Sequence, residues 1–362
     1  MSRPIFLLLP SLILTNLLSS AAIEQQDPTA LSQPMTIKWR YSSDQISNFT
    51  PAADGRVIYL PLAGGILLAL NAADGRLLWR AEIGGEFSAP PTIDEHNLYV
   101  ATEHGDSQNK IVRGTVQALS KETGITIWMK TLPSALRSGI ASGSSAIFAA
   151  ARNGIVYGFE KRSGLILWIH QHNEAFDEQP VVSGNHVYLG SSNGTLLAFD
   201  QSTGRIVWHY RAHAAIKSVA IANDIAYFGS SDGYVYALRE HRSKLIWKRR
   251  TGASVQSVTI VDNGLLASSL DNFAYLLSLN KGALVWRRLL PGRTPARPLI
   301  GPDGALFTPL SADSAIVLSL KDGKPVNALT IGEENTNSAG PISAHNLVLL
   351  VTPHALLAFG PL

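Results

Sequence analysis

Short apolar runs alternate with turn residues along this chain in a pattern that repeats about every forty residues. One unit contains four such runs, at residues 179–182, 186–190, 195–199 and 205–208. Runs of this length, bounded by Gly, Asn and Asp, predict β-strands joined by tight turns. The dipeptide Asn193-Gly194 is a strong signal for a hairpin. No segment shows sustained helical periodicity, so the predicted helix content is near zero.

The tryptophans mark the repeat most clearly. Their spacings are 40, 49, 40, 40, 39 and 39 residues. All seven belong to this series: Trp39, Trp79, Trp128, Trp168, Trp208, Trp247 and Trp286. Glycine recurs four residues before five of them, at Gly75, Gly124, Gly164, Gly204 and Gly282. A fixed period of this size is the signature of a repeat architecture.

Four-stranded units that repeat radially build a propeller. Eight inner strands are predicted to begin near Phe49, Ala89, Gly139, Pro180, Val219, Val258, Pro298 and Pro341. The eighth unit ends before its fourth strand, while a strand around Trp39 is left over at the other end of the chain. Pairing the two removes both open sheet edges. We therefore predict an all-β, eight-bladed β-propeller of four-stranded antiparallel blades, with the ring closed by the N-terminal strand around Trp39.

The N-terminus has the pattern of a secretory signal. Arg3 precedes a short apolar run, and small residues follow up to Ala22. The alternative is an uncleaved membrane anchor, but the run is shorter than the ~20 residues that span a bilayer comfortably. The chain divides into a signal peptide (1–22), a linker (23–35) and a propeller (36–362). The expected product is exported, either to the periplasm or outside the cell, and any attachment to the outer membrane is expected to be peripheral and through a partner.

Composition narrows the function classes. Hydrophobic residues make up 46% and charged residues 16%, which excludes a disordered chain. The net charge of +3 is too small to indicate nucleic-acid binding. The absence of cysteine excludes disulfides, thiolate metal sites, a cysteine nucleophile and a lipid-accepting cysteine.

The repeated unit reads Gly-x-Leu-x-Ala-Leu-Asp/Asn, then a Thr/Asp-Gly turn and a Trp, most clearly at residues 65–79 and 193–208. It resembles the PQQ-like β-propeller repeat over residues 36–362, and the resemblance implies that each Trp packs between neighbouring blades. The family contains quinoprotein dehydrogenases. It also has a non-enzymatic branch typified by BamB, the scaffold of the outer-membrane β-barrel assembly machinery.

The resemblance favours the non-enzymatic branch, because the dehydrogenases are much longer and many carry a cysteine pair over their quinone. We expect a monomeric binding or scaffold protein without catalytic residues, cofactor or metal. A PQQ-dependent quinoprotein dehydrogenase is the alternative. Residues 132–139 resemble the BamB segment that contacts the barrel-assembly protein, although they follow the second full blade rather than the third. By this resemblance, Leu136 and Arg137 are exposed loop residues that contact a protein partner in the cell envelope.

The spacing of 49 residues marks an insertion in the second blade. It falls at residues 103–110, between the predicted second and third strands. We expect this loop to lie close to residues 132–138. A decorated loop on a rigid scaffold is a suitable recognition element, and a tolerated surface insertion is the alternative. The partner-binding candidates in the insertion are Glu103, His104, Asp106 and Lys110.

Three further clusters can be interpreted either as functional sites or as ordinary surface residues. The first is a basic cluster, which either binds an anionic partner or consists of solvated charges at strand ends. Its members are Lys248, Arg249, Arg250, Arg287, Arg288, Arg293 and Arg297. Four histidines follow Trp168 and Trp208 and could approach one another, but they match no zinc-site spacing and are expected to be surface residues: His170, His172, His209 and His213. Three acidic residues are expected to be solvated: Glu174, Asp177 and Glu178.

Overall fold

The computed structural model describes residues 30–105, 112–240, 243–262 and 264–362. Within these ranges the regular elements are β-strands, and they form eight antiparallel sheets that follow one another around a ring. This confirms the predicted all-β, eight-bladed propeller. No helix in the described ranges is long and apolar enough to cross a membrane. The proposed signal peptide lies outside the described residues.

The first four blades each begin with a short inner strand. Blade 1 contains β2 (Ala52–Ala53), β3 (Val57–Leu62), β4 (Ile66–Asn71) and β5 (Leu77–Glu82). Blade 2 contains β6 (Glu86–Phe87), β7 (Thr92–Ile93), β8 (Asn97–Gly105), β9 (Val112–Ser120) and β10 (Thr126–Leu132). Blade 3 contains β11 (Ala141–Ser142), β12 (Ala146–Ala150), β13 (Ile155–Glu160) and β14 (Ile166–Gln171). Blade 4 contains β15 (Val181–Ser183), β16 (His186–Gly190), β17 (Thr195–Asp200) and β18 (Ile206–Arg211).

The last four blades follow the same order. Blade 5 contains β19 (Ile216–Ala222), β20 (Ile225–Ser230), β21 (Tyr234–Arg239) and β22 (Lys244–Arg250). Blade 6 contains β23 (Val255–Val261), β24 (Gly264–Ser269), β25 (Phe273–Leu277) and β26 (Leu284–Leu289). Blade 7 contains β27 (Leu299–Ile300), β28 (Gly304–Phe307), β29 (Ser314–Ser319) and β30 (Pro325–Thr330). Blade 8 contains β31 (Ile342–Ala344), β32 (Leu347–Val351), β33 (Ala355–Pro361) and, from the other end of the chain, β1 (Met35–Ser42).

Strand β1 closes the ring. It pairs antiparallel with β33, from Met35 opposite Pro361 to Ser42 opposite Ala355. The sheet order β1-β33-β32-β31 gives blade 8 the four strands of its neighbours. The predicted closure through the Trp39 strand is therefore confirmed, and the ladder hydrogen bonds satisfy an edge that would otherwise be open.

The tryptophan side chains join one blade to the next. Six of them donate a hydrogen bond from Nε1 to a backbone carbonyl of the following blade. The pairs are Trp39–Ala72, Trp79–Lys121, Trp128–Lys161, Trp168–Gln201, Trp247–Leu279 and Trp286–Leu320, at 2.7 to 3.1 Å. Each indole thus buries an apolar ring between two sheets and satisfies its one donor at the same time.

The recurring glycines are explained by these rings. Gly164 has a φ of +67°, and a Cβ there would lie 2.4 Å from an atom of the Trp128 ring. The same contact recurs for Gly75, Gly124, Gly204, Gly282 and Gly323, each against the tryptophan of the preceding blade. Ser243 replaces glycine in blade 5 and keeps a positive φ of 46°. At that seam Trp208 Nε1 has no hydrogen-bond acceptor among the described residues.

Buried ion pairs also cross between blades. The Lys161 ammonium lies 2.8 Å from the Asp94 carboxylate, and both side chains are less than a fifth exposed. Burial alone would raise the pKa of Asp94. The hydrogen bond from Lys161 and those from the backbone amides of Asn97 and His96 outweigh it and lower the pKa to about 2.

The seam between blades 7 and 8 is built differently. Asn327 stands where the repeat would place a tryptophan, and its Nδ2 donates to the backbone carbonyls of Leu31 at 3.0 Å and Gln33 at 2.6 Å. Leu31 is fully buried among apolar side chains of both blades. The Asp303 carboxylate accepts hydrogen bonds from the backbone amides of Leu31 and Ser32 at 2.8 and 3.0 Å. The last residues of the predicted linker therefore pack onto the propeller.

Candidate functional site at the channel mouth

A cavity of about 640 Å³ lies on the propeller axis, and residues of all eight blades line it. The segments that lead into the inner strands form its wall. Part of this wall is proline: Pro51, Pro90, Pro91, Pro295, Pro298 and Pro341. The wall formed by blades 3, 4, 5 and 7 also carries charged side chains, so the channel combines apolar surface with a few convergent polar groups, as ligand and partner sites commonly do.

Five charged residues form what we call the channel cluster: Arg137, Asp177, Glu178, Lys217 and Arg297. Arg137 Nε lies 2.7 Å from Asp177 Oδ1, and Lys217 Nζ lies 3.5 Å from Glu178 Oε1. The Arg297 guanidinium has one long hydrogen bond, of 3.5 Å, to the carbonyl of Val219. Three cations against two carboxylates leave the cluster with a net charge of +1.

Burial sets the electrostatics of the inner part of the cluster. It raises the pKa of Glu178, and the neighbouring charges of Lys217 and Arg297 oppose the rise. The Arg297 side chain lines the channel and is exposed to the solvent inside it. Desolvation by the channel wall lowers the pKa of Arg297, and the charge of Glu178 opposes that shift. Loss of either residue would leave the other with a less favourable environment.

The structure separates the two residues that the sequence placed together in a recognition loop. Arg137 reaches the channel mouth, where its side chain is 54% exposed and pairs with Asp177. Leu136 is fully buried, in one apolar cluster with Ile140 and Phe159. It forms an isolated bridge with Ala151, which turns its side chain inward. The expected exposed position of Leu136 is therefore wrong, and its structural role is to fix the backbone that carries Arg137.

The insertion in blade 2 lengthens the hairpin between β8 and β9. Glu103, at the end of β8, forms a 3.0 Å ion pair with Arg152 of blade 3. A Cβ on Gly114 in β9 would lie 2.6 Å from Ala135 Cα, so the hairpin packs against the segment that leads to Arg137. The base of the hairpin thus lies beside residues 132–138, whereas residues 106–110 of the insertion lie outside the described residues. His104 lies beside Gly85. Asp106 and Lys110 lie outside the described residues.

The residues of the other clusters identified in the sequence lie in different parts of the structure. Five members of the basic cluster lie on the outermost strands of blades 5 and 6: Lys248, Arg249, Arg250, Arg287 and Arg288. Arg297, expected on the same face as the others, enters the channel. The ring centres of His170 and His172 are 6.4 Å apart. The described residues contain no group of three or more His, Cys, Asp or Glu side chains that could hold a metal ion.

Sequence reasoning treated Asp177 and Glu178 as solvated and did not single out Lys217. A signal for them exists in the repeat. The residue nine positions after the tryptophan lines the channel in six of the seven cases, at Asn48, Arg137, Asp177, Lys217, Gln256 and Pro295. A residue at this position lies near the propeller axis because it belongs to the segment that connects the outermost strand of one blade to the inner strand of the next.

Comparison with known proteins gives one match that covers nearly the whole chain. A family described as "Outer membrane protein assembly factor BamB" matches residues 29–111, 112–254 and 216–358. The BamB of Shewanella oneidensis is 34% identical over 65 residues, which are 18% of this chain and 14% of that protein. A tetrathionate hydrolase of Acidithiobacillus ferrooxidans is 24% identical over 119 residues, 33% of this chain and 21% of that protein. The chain thus aligns with only about a fifth, or less, of these relatives.

Solved structures share the fold. BamB from Moraxella catarrhalis superposes with a TM-score of 0.75 at 15% identity, covering 90% of this chain and 98% of that one. Quinohemoprotein alcohol dehydrogenase from Comamonas testosteroni superposes with a TM-score of 0.74 at 10% identity, covering 92% and 77%. The designed protein Ika8 has a TM-score of 0.77 at 15% identity, covering 90% and 99%. At such identities the likeness establishes the architecture alone.

Proposed function

This chain belongs to the PQQ-like propeller family of the outer membrane protein assembly factor BamB, and from that premise we propose that it is a non-catalytic scaffold of the cell envelope. In this proposal it is exported under the direction of residues 1–22, acts as a monomer and binds a protein partner. The channel mouth is the binding face.

The observation that carries the proposal is the placement of Arg137. Its guanidinium is more than half exposed at the channel mouth, and its backbone is anchored by the buried Leu136. Arginine on a rigid support is a common anchor of protein interfaces. The ion pair between Glu103 and Arg152 adds a second, partly exposed charge pair on the neighbouring segment. Such charged groups steer encounter and select partners.

The test is capture of partners from an envelope extract by the immobilised protein and by Arg137→Ala. Capture by the variant should fall about tenfold, equivalent to about 1.4 kcal/mol. Its stability should change by less than about 0.5 kcal/mol, because the side chain lies at the surface. Identified partners are then titrated individually.

Arg211→Ala is the matched control. Arg211 is also exposed and ion-paired, with the largely buried Glu174 at 2.8 Å, but it does not line the channel. It should capture partners as well as the parent protein does. Equal capture by Arg137→Ala and the parent would show that the channel mouth is not the binding face.

A PQQ-dependent dehydrogenase is the second candidate, favoured by the axial cavity and its Arg297 guanidinium. The acidic side chains described in the channel are Asp177 and Glu178, and each already faces a cation. This donor set does not fit the calcium ion that quinoprotein catalysis needs. Addition of PQQ and Ca²⁺ to the purified protein decides the matter. A bound chromophore with alcohol-dependent dye reduction would replace the scaffold proposal.

A further inference from the structure

The charge of this chain is unevenly distributed. Residues 241–300 contain ten Lys or Arg and two Asp or Glu, a net charge of +8. The rest of the chain contains twenty Lys or Arg and twenty-five Asp or Glu, a net charge of −5, which together give the total of +3. A modest overall charge therefore conceals a strongly basic stretch, which runs from the outermost strand of blade 5 through blade 6 to the inner strand of blade 7.

Six cations of this stretch lie along the outermost strands of blades 5 and 6, and we call them the basic rim. They are Lys244, Lys248, Arg249 and Arg250 on β22, Lys281 in the turn before β26, and Arg287 on β26. All six are exposed. None forms an ion pair with a carboxylate of the described residues, so their charge is not neutralised within the fold.

Two members of the basic rim occupy equivalent positions in the repeat. Lys248 Nζ lies 4.8 Å from the ring centre of Tyr234, and the Arg287 guanidinium carbon lies 5.3 Å from that of Phe273. These aromatic contacts orient both cations along the outer strands while their heads stay exposed.

Large apolar side chains are exposed between the cations. Ile246 is 38% exposed on β22, while Val285 and Leu289 on β26 are 52% and 60% exposed. The rim therefore presents positive charge and apolar surface on the same two strands. Interfacial elements that lie on membranes have this combination.

The repeat itself does not require cations here. At the position after the tryptophan, Met129 in blade 2 and Ile169 in blade 3 replace Lys248 and Arg287. Both apolar residues are more than half exposed. Arg40 and Arg80 hold the same position in blades 8 and 1, and Arg80 is ion-paired with Glu82. The blades fold alike with either type of residue, so a cation here is not a condition of folding. What distinguishes blades 5 and 6 is the number of exposed cations that no carboxylate of the described residues pairs with.

We propose that the basic rim binds the surface of an anionic lipid bilayer. Clusters of four to eight Lys and Arg residues are attracted to acidic headgroups, and each cation adds to the attraction. The cations are spread along two strands on the outside of the ring and do not converge on a point, which suits an extended field of headgroups better than a single acidic side chain of a partner. The neighbouring Val285 and Leu289 then contact the boundary between headgroups and acyl chains.

Co-sedimentation with vesicles tests the proposal. The mature protein, residues 23–362, should bind vesicles that contain phosphatidylglycerol and should not bind vesicles of phosphatidylcholine alone. Raising the salt from about 0.1 M to 1 M shortens the Debye length from roughly 10 Å to 3 Å and should release it. Failure to bind the anionic vesicles at low salt would overturn the proposal.

The rim variant Lys248→Gln, Arg249→Gln, Arg287→Gln should lower binding to the anionic vesicles about tenfold or more. Its melting temperature and circular dichroism should match those of the parent, because all three side chains are exposed.

The matched control removes the same charge elsewhere on the ring, by Arg40→Gln on the outer strand of blade 8 and by Arg76→Gln and Arg205→Gln in the turns before the outer strands of blades 1 and 4. It should bind within about twofold of the parent. An equal loss in the two variants would show that net charge alone is measured, and the rim would not be a site.

Two further arms complete the design. If the parent ignores the vesicles but binds poly-glutamate, and the rim variant does not, the rim recognises an acidic protein and the membrane proposal fails. Arg137→Ala should bind vesicles like the parent, so membrane binding is tested separately from the channel mouth.

Discussion

Replacing Leu31 by alanine should destabilise the whole propeller, although the residue lies at the edge of the described chain. Leu31 is fully buried in the seam between blades 7 and 8, where Leu306, Val317 and Leu329 contribute to the same apolar cluster. Leucine-to-alanine changes in a core cost about 2–5 kcal/mol, depending on how far the site can collapse. A terminal segment can also detach, which limits the loss, so we expect about 2–3 kcal/mol.

The polar contacts of the same segment give an independent measure. Asp303 accepts two backbone hydrogen bonds and the Ser32 hydroxyl, and these lower its pKa although burial opposes them. Asp303→Asn weakens these charge-assisted bonds and should cost about 1.5–3 kcal/mol. The two variants share one segment, so their effects should be less than additive when combined.

The assay is urea and thermal unfolding of the mature protein. For domains of 150–250 residues, 1 kcal/mol shifts the melting temperature by about 2–4 °C, so Leu31→Ala should lower it by roughly 5 °C. Leu31→Met is the control, because a swap of similar volume usually costs less than about 1.5 kcal/mol. A melting curve of Leu31→Ala that coincides with the parent's would refute the role of this segment in the seam.

Three other perturbations test the blade seams. Trp168→Phe should cost about 1 kcal/mol more than Trp208→Phe in urea unfolding, because only the first indole has an acceptor among the described residues; equal costs would contradict this. Gly164→Ala should lower stability by more than about 1 kcal/mol, since it combines a positive φ with a clash against an indole; a neutral result would show that the ring can shift. Asp94, whose folded pKa of about 2 lies below its ordinary value, should contribute about 2 kcal/mol above pH 4 and lose it as the pH falls towards 2. Asp94→Asn should remove this acid-dependent loss. If the fall in stability below pH 4 were the same in the variant and the parent, the coupling to Lys161 would be disproved.

The fold was predictable because two physical demands recur at fixed intervals. Six of the eight seams contain an indole ring with a satisfied donor, and in those six the turn beneath the ring has a glycine with positive φ. Trp128 and Gly164 illustrate the pairing, which crosses from one blade to the next. Because both features recur with one period, the order of the strands within each blade can be predicted from the sequence. The strand around Trp39, which has no partner in its own blade, then determines how the ring closes.

The candidate site was harder to predict because its residues meet only after the ring has closed. Arg137 and Asp177 are forty positions apart, yet their side chains lie 2.7 Å from each other. Leu136 misled the prediction for a local reason. Sequence similarity in a loop does not report burial, and the bridge to Ala151 turns this side chain into the core.

Because every blade solves the same folding problem, function should lie where the blades differ. The strands tolerate apolar, polar or basic residues at their exposed positions, so a concentration of one kind in a single sector is not a by-product of the repeat. By this criterion the basic rim of blades 5 and 6 and the channel cluster are two separate adaptations. The first collects cations on the outside of the ring, and the second pairs cations with carboxylates on its axis. A scaffold held at a membrane by its rim would keep the channel mouth free for a protein partner, since the two surfaces share no residue.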